Sequence, residues 1–143
     1  MKYSGYVGIN IMSVAREIIG NAIKANASDI HLEEDSPIAV RINSDIKISS
    51  QVLTVPLMNQ LIEELLSEEE IANFETLKDI DTSNGLEGLS RVRINGYVSN
   101  NKKCMTIRIL ANKLPKWQDI GLPKEFINLA KLNKGLILCT GPT

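Results

Sequence analysis

The segment from Ser90 to Leu110 alternates apolar and polar residues on both sides of Asn100-Asn101. Alternation with a period of two predicts β-strands, and two asparagines tolerate the positive φ angles that a two-residue hairpin turn requires. A turn at these asparagines places Val92 opposite Ile109, and one side of the ribbon then becomes uniformly apolar. The pattern predicts an antiparallel hairpin with one face in a core and the other face polar.

The polar side of this hairpin brings two positive charges together, because the same register places Arg93 opposite Arg108. Like charges directly across a β-ladder are destabilising by roughly 0.2–1 kcal/mol, so the pair indicates a nearby anion. A phosphate would suit the bidentate geometry of arginine. A protein carboxylate would serve equally, and Asp79 and Asp81 are the nearest in sequence. Two solvated side chains are the remaining interpretation.

Two periodicities organise the rest of the chain. Apolar residues at helical spacing, with proline or a capping box at the start and glycine at the end, predict helices. Short alternating runs predict further strands, two of them joined at the turn-forming cluster Asn43-Ser44-Asp45. The predicted helices run from about Ile11 to Asn26, from Pro56 to Leu66, onward from the capping box Ser67/Glu70, and from Pro123 to Gly135; the additional strands cover 29–33, 38–42, 46–48 and 79–83. This order predicts an α+β fold, an antiparallel sheet covered by helices.

Composition excludes several functional classes. The chain has 143 residues, of which 43% are apolar and 23% charged, and its formal charge is −1. Without a basic surplus we expect no nucleic-acid partner. The two cysteines, Cys104 and Cys139, lie in apolar runs far apart, so we interpret them as buried hydrophobic residues in a reducing compartment. No secretory leader and no apolar run of spanning length is visible, which favours a cytoplasmic protein.

One strand carries a cluster of polar side chains that could serve chemistry. Asp29, His31 and Glu33 share a face, as a partial metal set or an acid–base group would. The chain has only one histidine, however, and both cysteines lie far away in sequence. We therefore expect no metal site, and a structural role in which His31 is hydrogen-bonded by a neighbouring carboxylate or backbone group.

The last residues resemble the front of a phosphate-binding loop. A P-loop reads Gly-x-x-x-x-Gly-Lys-Ser/Thr and leads from a buried strand into a helix. Here an apolar run, Leu136–Cys139, predicts the strand, and Gly141-Pro142-Thr143 supplies an incomplete loop. The second glycine and the lysine do not occur in this sequence, so we expect no hydrolysis by the chain itself.

Four segments together resemble one family, the ATPases that drive type IV pili and type II secretion, and most closely the twitching-motility retraction type. Residues 27–33 are similar to its A-S-D-[IL]-H-[IL] signature, and residues 40–45 lie where the family has R-[VI]-D-G. Residues 79–83 and 90–95 resemble D-x-D-x-S followed by R-F-R-V-N, and residues 135–143 resemble the segment before G-S-G-K-[ST].

The resemblance implies a division of the chain. Residues 1–10 would be a flexible lead-in, 11–112 a PAS-like N-terminal domain, 113–134 a linker with a helix, and 135–143 the first strand and incomplete P-loop of a RecA-like core. In the family, ATP and Mg²⁺ bind between the two domains, and Arg93 and Arg108 match arginines that reach the phosphates. The chain lacks the P-loop lysine and the catalytic glutamate, so none of its residues is expected to be catalytic and no cofactor to bind it tightly.

The resemblance also implies partners. These are the ATPase cores of its own and neighbouring subunits in a homo-hexamer, and an inner-membrane platform protein, with the assembly peripheral to the inner face of the cell membrane. It leaves open whether pili are retracted or extended or proteins are secreted. The alternative is a free-standing PAS-like module that binds a protein or small ligand and has no nucleotide role.

Overall fold

The computed structural model describes residues 13–86, 88–110, 116–129, 131–138 and 140–141. The chain divides into two compact units, with the boundary after Asn112. The predicted lead-in at 1–10 lies outside the described residues. No helix in the described ranges combines the length and the apolar character needed to cross a membrane.

The described residues of the first unit form three helices and six strands. In chain order they are α1 (Val14–Lys24), β1 (Asp29–Glu33), β2 (Ser36–Ile42), β3 (Asp45–Leu53), α2 (Val55–Leu65), α3 (Glu68–Leu77), β4 (Asp79–Gly85), β5 (Arg91–Ser99) and β6 (Lys102–Ile109). The strands form one sheet in the order β3-β2-β1-β6-β5-β4, and all neighbours are antiparallel. The predicted α+β fold, an antiparallel sheet covered by helices, is confirmed.

Two hairpin turns have the predicted geometry. Asn100 and Asn101 have φ angles of 50° and 61°, and Asn43 and Ser44 have 49° and 72°. Positive φ at both central residues produces a turn whose twist matches that of the flanking strands. The β5–β6 register follows as predicted, with Val92 opposite Ile109 and Arg93 opposite Arg108.

The hydrophobic core lies between one face of the sheet and the helices. Ile30, Ile94 and Ile107 are fully buried on three adjacent strands. Helices α1 and α2 contribute Ile19, Met58 and Leu61, each 0% exposed, and α3 contributes Phe74. Because strand side chains alternate between faces, burying these residues turns every second residue of the same strands away from the helices.

Glu64 of α2 fastens the first helix to the core. Its carboxylate accepts hydrogen bonds from Ser13 Oγ at 2.7 Å and from the amides of Val14 and Ala15 at 3.2 and 2.7 Å. These amides begin α1 and have no partner within the helix, and the positive end of the helix dipole favours an anion there. Burial raises the pKa of Glu64, but these bonds and one from Gln60 outweigh that effect and lower the pKa below 4.5.

The second unit departs from two predictions. The helix expected from Pro123 to Gly135 is limited to α4 (Phe126–Leu129), held by i→i+3 bonds such as Ile127 N to Lys124 O. No strand forms at 135–138 either, and Leu136 is 82% exposed. A strand needs a neighbour for its backbone groups, and a short helix needs a packed face. The described residues of this unit supply neither.

Candidate anion site on the open face of the sheet

The sheet has an open face, which we define as the side opposite the helices. A depression of about 330 Å³ lies on this face across β4, β5 and β6. The residues lining it are Asp81, Arg93, Asn95, Thr106 and Arg108. The predicted pair of facing arginines therefore lies in a concave, polar and solvent-accessible region.

Arg93 binds a carboxylate through one edge of its guanidinium group. Its Nε donates to Asp81 Oδ1 at 3.0 Å and its Nη2 donates to Asp81 Oδ2 at 2.7 Å. The bidentate hydrogen bond with Arg93 lowers the pKa of Asp81, and the same bond raises the pKa of Arg93. Both side chains remain open to solvent, at 62% and 49% exposure. Water and ions can therefore compete for this pair.

Arg108 is held differently, through a single nitrogen. Its Nε donates to Asp29 Oδ1 at 2.9 Å, and among the described residues its two terminal nitrogens have no hydrogen-bond partner. The Asp29 side chain is only 9% exposed, whereas that of Arg108 is 66% exposed. Ser28 Oγ donates to the second oxygen of Asp29 at 2.8 Å, and Arg41 Nε lies 3.7 Å from it.

These contacts set the charge of Asp29. Burial by itself raises the pKa of this carboxyl group, but the hydrogen bonds from Arg108 and Ser28, together with the charges of Arg108 and His31, lower it overall. Asp29 is therefore a fixed anion from which the guanidinium of Arg108 extends into the depression.

The carboxylate interpretation of the arginine pair is thus correct for one arginine and incomplete for the other. Asp81 binds Arg93 as predicted, but Asp79 lies opposite Tyr97 and forms no ion pair with any described residue. The partner of Arg108 is Asp29, which is 79 positions away in sequence. This contact depends on β1 lying next to β6, and the only signal for it in the sequence was an aspartate on a polar strand face.

The prediction that His31 is hydrogen-bonded by a neighbour is wrong for one ring nitrogen. Its Nε2 is buried and has no partner among the described residues. The residues directly across from His31 are Thr106 and Ala39, while the carboxylate of Glu33 pairs with Lys102 at 3.3 Å. Within the described ranges no group of three histidine, cysteine or acidic side chains could hold a metal ion.

Of the remaining residues singled out in the sequence, some lie within the described ranges and others lie outside them. Cys104 is a buried free thiol, as predicted, and burial followed by the charge of Glu33 raises its pKa. Cys139 lies outside the described residues, as do Pro142 and Thr143. Gly141 is exposed, and the incomplete P-loop stays a prediction.

Known proteins resemble the chain over most of its length. The crystal structure of the pilus retraction motor PilT with bound ADP aligns with a TM-score of 0.75 and 35% identity, covering 88% of this chain and 37% of that one. The X-ray structure of the Legionella pneumophila ATPase DotB aligns with a TM-score of 0.57 and 25% identity, covering 78% and 32%. The type IV pilus retraction ATPase PilT of Pseudomonas aeruginosa is 27% identical over 128 residues, which are 89% of this chain and 37% of that protein. No model of a known protein family matches.

The chain is homologous to the PilT and DotB ATPases, so the predicted resemblance is confirmed. It spans little more than a third of the curated relative, and the matching region is the N-terminal portion of these proteins. The open face with Arg93 and Arg108 belongs to that region.

Proposed function

We propose that the chain is the PAS-like N-terminal domain of a hexameric ATPase that drives a type IV pilus or a secretion machine. In this proposal its open face closes over ATP bound to an ATPase core domain, and Arg93 and Arg108 contact the phosphates. The chain is not catalytic by itself, since the phosphate-binding lysine and the catalytic glutamate belong to the core.

The observation that carries the proposal is the pair of arginines across β5 and β6. They face each other over an open depression of about 330 Å³, in a region homologous to an ATPase whose crystal structure contains ADP. Nucleotide phosphates carry several negative charges, and guanidinium groups bind them through paired hydrogen bonds. A phosphate between the two arginines would also remove the repulsion that the register creates.

The chemical role follows from how phosphoryl transfer is catalysed. Negative charge on the transferred group and the leaving oxygen must be neutralised, and an arginine supplied from outside the P-loop can do this. Arg93 and Arg108 would supply such charge when the domain closes. Mg²⁺ and the P-loop backbone would be supplied by the core, of which Gly141-Pro142-Thr143 would be the first part.

The partners follow from the same family. We propose the ATPase cores of the same and neighbouring subunits as direct partners, and a platform protein of the inner membrane as the target of the assembled ring. The protein would then act in the cytoplasm at the membrane surface. Retraction, extension and secretion are all compatible with this assignment.

The test is ATP turnover in the intact protein that contains this chain. We expect the reading frame of that protein to continue with Gly-Ser-Gly-Lys. We also expect Arg93→Ala and Arg108→Ala each to lower the ATPase rate at least about tenfold, because a phosphate-contacting arginine is lost. Arg16→Ala is the control, because Arg16 is exposed on α1, which packs against the other face of the sheet. Parent turnover in both arginine variants would refute the role of the open face.

A second candidate function is a free-standing PAS-like module that binds a small ligand. A depression of about 190 Å³ supports it, lined by apolar side chains of α1 and β2 that include Ile18, Ala22 and Ile38, and by the polar residues Ser49 and Gln51 of β3. Calorimetry on the 143-residue chain can compare its affinity for ATP with its affinity for such small ligands. We expect ATP to bind this chain weakly, because most phosphate contacts in a P-loop protein come from the loop backbone and its lysine. Micromolar ATP affinity would contradict that expectation.

A further inference from the structure

We propose that two carboxylates give the facing arginines different roles toward an anion. Asp29 is a positioning residue that holds Arg108 ready to bind, whereas Asp81 is a competitor that occupies Arg93 and leaves when the anion arrives. This inference rests on the proposed function and specifies how its site is regulated.

The competitor role follows from the number and exposure of the contacts. Asp81 uses both oxygens to bind both accessible nitrogens on one edge of the Arg93 guanidinium. A phosphate oxygen pair needs the same geometry, so Asp81 and a phosphate cannot both be bidentate on that edge. Asp81 is half-exposed on the edge strand β4, where water can take over its hydrogen bonds after release. Separating Asp81 from Arg93 should therefore require little free energy.

The positioning role follows from the opposite properties. Asp29 is nearly buried in the middle of the sheet, fixed by Ser28 and by the nearby guanidinium of Arg41. It contacts only Nε of Arg108, which orients the planar group and leaves both terminal nitrogens available. A terminal pair of this kind binds a phosphate with less loss of side-chain freedom than an unrestrained arginine would.

These two roles predict opposite changes in anion affinity when one negative charge is removed at either position. Asp81→Asn and Asp29→Asn each remove one negative charge from the open face. If electrostatic repulsion alone mattered, both variants would bind an anion more tightly. In our proposal Asp81→Asn binds more tightly because Arg93 is released. Asp29→Asn binds more weakly because Arg108 loses its orientation.

The experiment titrates the ¹⁵N-labelled 143-residue chain with inorganic triphosphate at constant ionic strength and follows the arginine Nε–Hε resonances. We expect Asp81→Asn to tighten binding about two- to fivefold, the ratio that matches an exposed ion pair. We expect Asp29→Asn to weaken binding at least about threefold and to accelerate exchange of the Arg108 Nε proton, an effect that loss of charge alone would not produce.

Matched controls remove one negative charge at neighbouring positions. Asp79→Asn lies on β4 two residues from Asp81, and Glu33→Gln lies on β1 four residues from Asp29; neither carboxylate contacts either arginine among the described residues. Both controls should stay within about 1.5-fold of the parent, because an exposed charge that contacts neither arginine contributes little in water. If Asp81→Asn binds triphosphate no more tightly than Asp79→Asn does, the competitor role of Asp81 is refuted. If Asp29→Asn binds triphosphate as tightly as the parent does, the positioning role of Asp29 is refuted.

A charge-conserving variant guards against loss of folding in Asp29→Asn. Asp29→Glu keeps the anion but displaces its oxygens by one methylene, and we expect at least about twofold weaker binding from misplaced hydrogen bonds. Unchanged binding in Asp29→Glu would also refute positioning. Arg93→Ala and Arg108→Ala belong in the same titration. Triphosphate shifts that neither arginine variant alters would refute the anion site itself, and with it the proposed function.

Discussion

The two faces of the six-stranded sheet are built from the same strands but do different work. On the helix-covered face, Ile94 and Ile107 are fully buried against α1, α2 and α3. On the open face, Arg93 and Arg108 of those same strands are more than 60% exposed. Neighbouring residues in one strand therefore differ in what a substitution should change: the stability of the fold on the helix-covered face and, in the proposed function, anion binding on the open face.

The strongest contrast should come from two adjacent residues of β5. Ile94→Ala removes a fully buried side chain and should lower the free energy of unfolding by about 2–5 kcal/mol, through lost transfer energy and a cavity. Asn95→Ala loses one exposed hydrogen bond to Ile80 O and should change it by less than about 1 kcal/mol. Urea denaturation of both variants measures the difference, and equal losses would mean that the open face also carries the fold.

A smaller effect should separate two glycines in neighbouring strands. A Cβ at Gly96 would lie 2.9 Å from Ile80 Cγ2 and 3.5 Å from the Phe74 ring, beneath α3. Gly96→Ala should therefore cost about 1–2 kcal/mol, since crowding exceeds the gain from restricting the unfolded chain. At Gly85 the nearest atom is 4.0 Å away, so Gly85→Ala should be neutral or slightly stabilising. Thermal denaturation compares the midpoints of the two variants. Equal midpoints would show that Ile80 and Phe74 can shift to accommodate a Cβ at Gly96.

Glu64 on the helix-covered side and Asp81 on the open face allow the two faces to be compared as a function of pH. Glu64→Gln weakens the anchor of α1 and should cost about 1 kcal/mol at pH 7. Since the folded pKa of Glu64 lies below its ordinary value of 4.5, its contribution is complete above that pH and is lost as pH falls through the folded value. The variant should therefore lose less stability than the parent between pH 5 and about pH 3.

Asp81→Asn is the matched change on the open face. Asp81 is half-exposed and its ion pair is open to water, so the urea midpoint at pH 7 should stay at the parent value although Arg93 loses its partner. Parallel urea titrations at pH 7, at pH 5 and at about pH 3 provide the measurement. A parent-like pH dependence in Glu64→Gln would contradict the assigned role of that carboxylate.

The smallest expected effects distinguish the arginines themselves. Arg108→Ala leaves the nearly buried Asp29 without its closest cation and should cost about 1 kcal/mol. Arg93→Ala leaves a solvated Asp81 behind, and its effect on stability should be smaller. Differential scanning calorimetry of the two variants tests this order, and a larger loss in Arg93→Ala would reverse the roles assigned to the two carboxylates.

Local patterns were sufficient for much of this fold. The turn at Asn100-Asn101 and the apolar face of one hairpin predicted the register that places Arg93 opposite Arg108. The capping box of Ser67 and Glu70 correctly predicted the start of α3. Such signals succeed because the interacting groups are a few residues apart, or are joined by a turn that leaves a single choice of register.

Contacts between distant strands were beyond those patterns. The pairing of β1 with β6 brings Asp29 to Arg108, and nothing local distinguishes this strand order from others. The pairings of β1 with β6 and with β2 place Thr106 and Ala39 across from His31, and the predicted hydrogen bond to a carboxylate or backbone group is absent at Nε2 within the described residues. In the second unit, α4 is only four residues long although the sequence predicted a longer helix, because propensity needs a packed apolar face to become stable structure.

The amino-acid order alone sufficed to specify the helices and hairpins of the first unit and the facing arginines of the open face. The choice of partner for each arginine required the assembled sheet. Periodicity and turn chemistry act over a few residues, whereas an ion pair depends on which strands the core has brought together. As a result, Arg93 forms a bidentate ion pair with the half-exposed carboxylate of Asp81. Arg108 donates through a single nitrogen to the nearly buried carboxylate of Asp29.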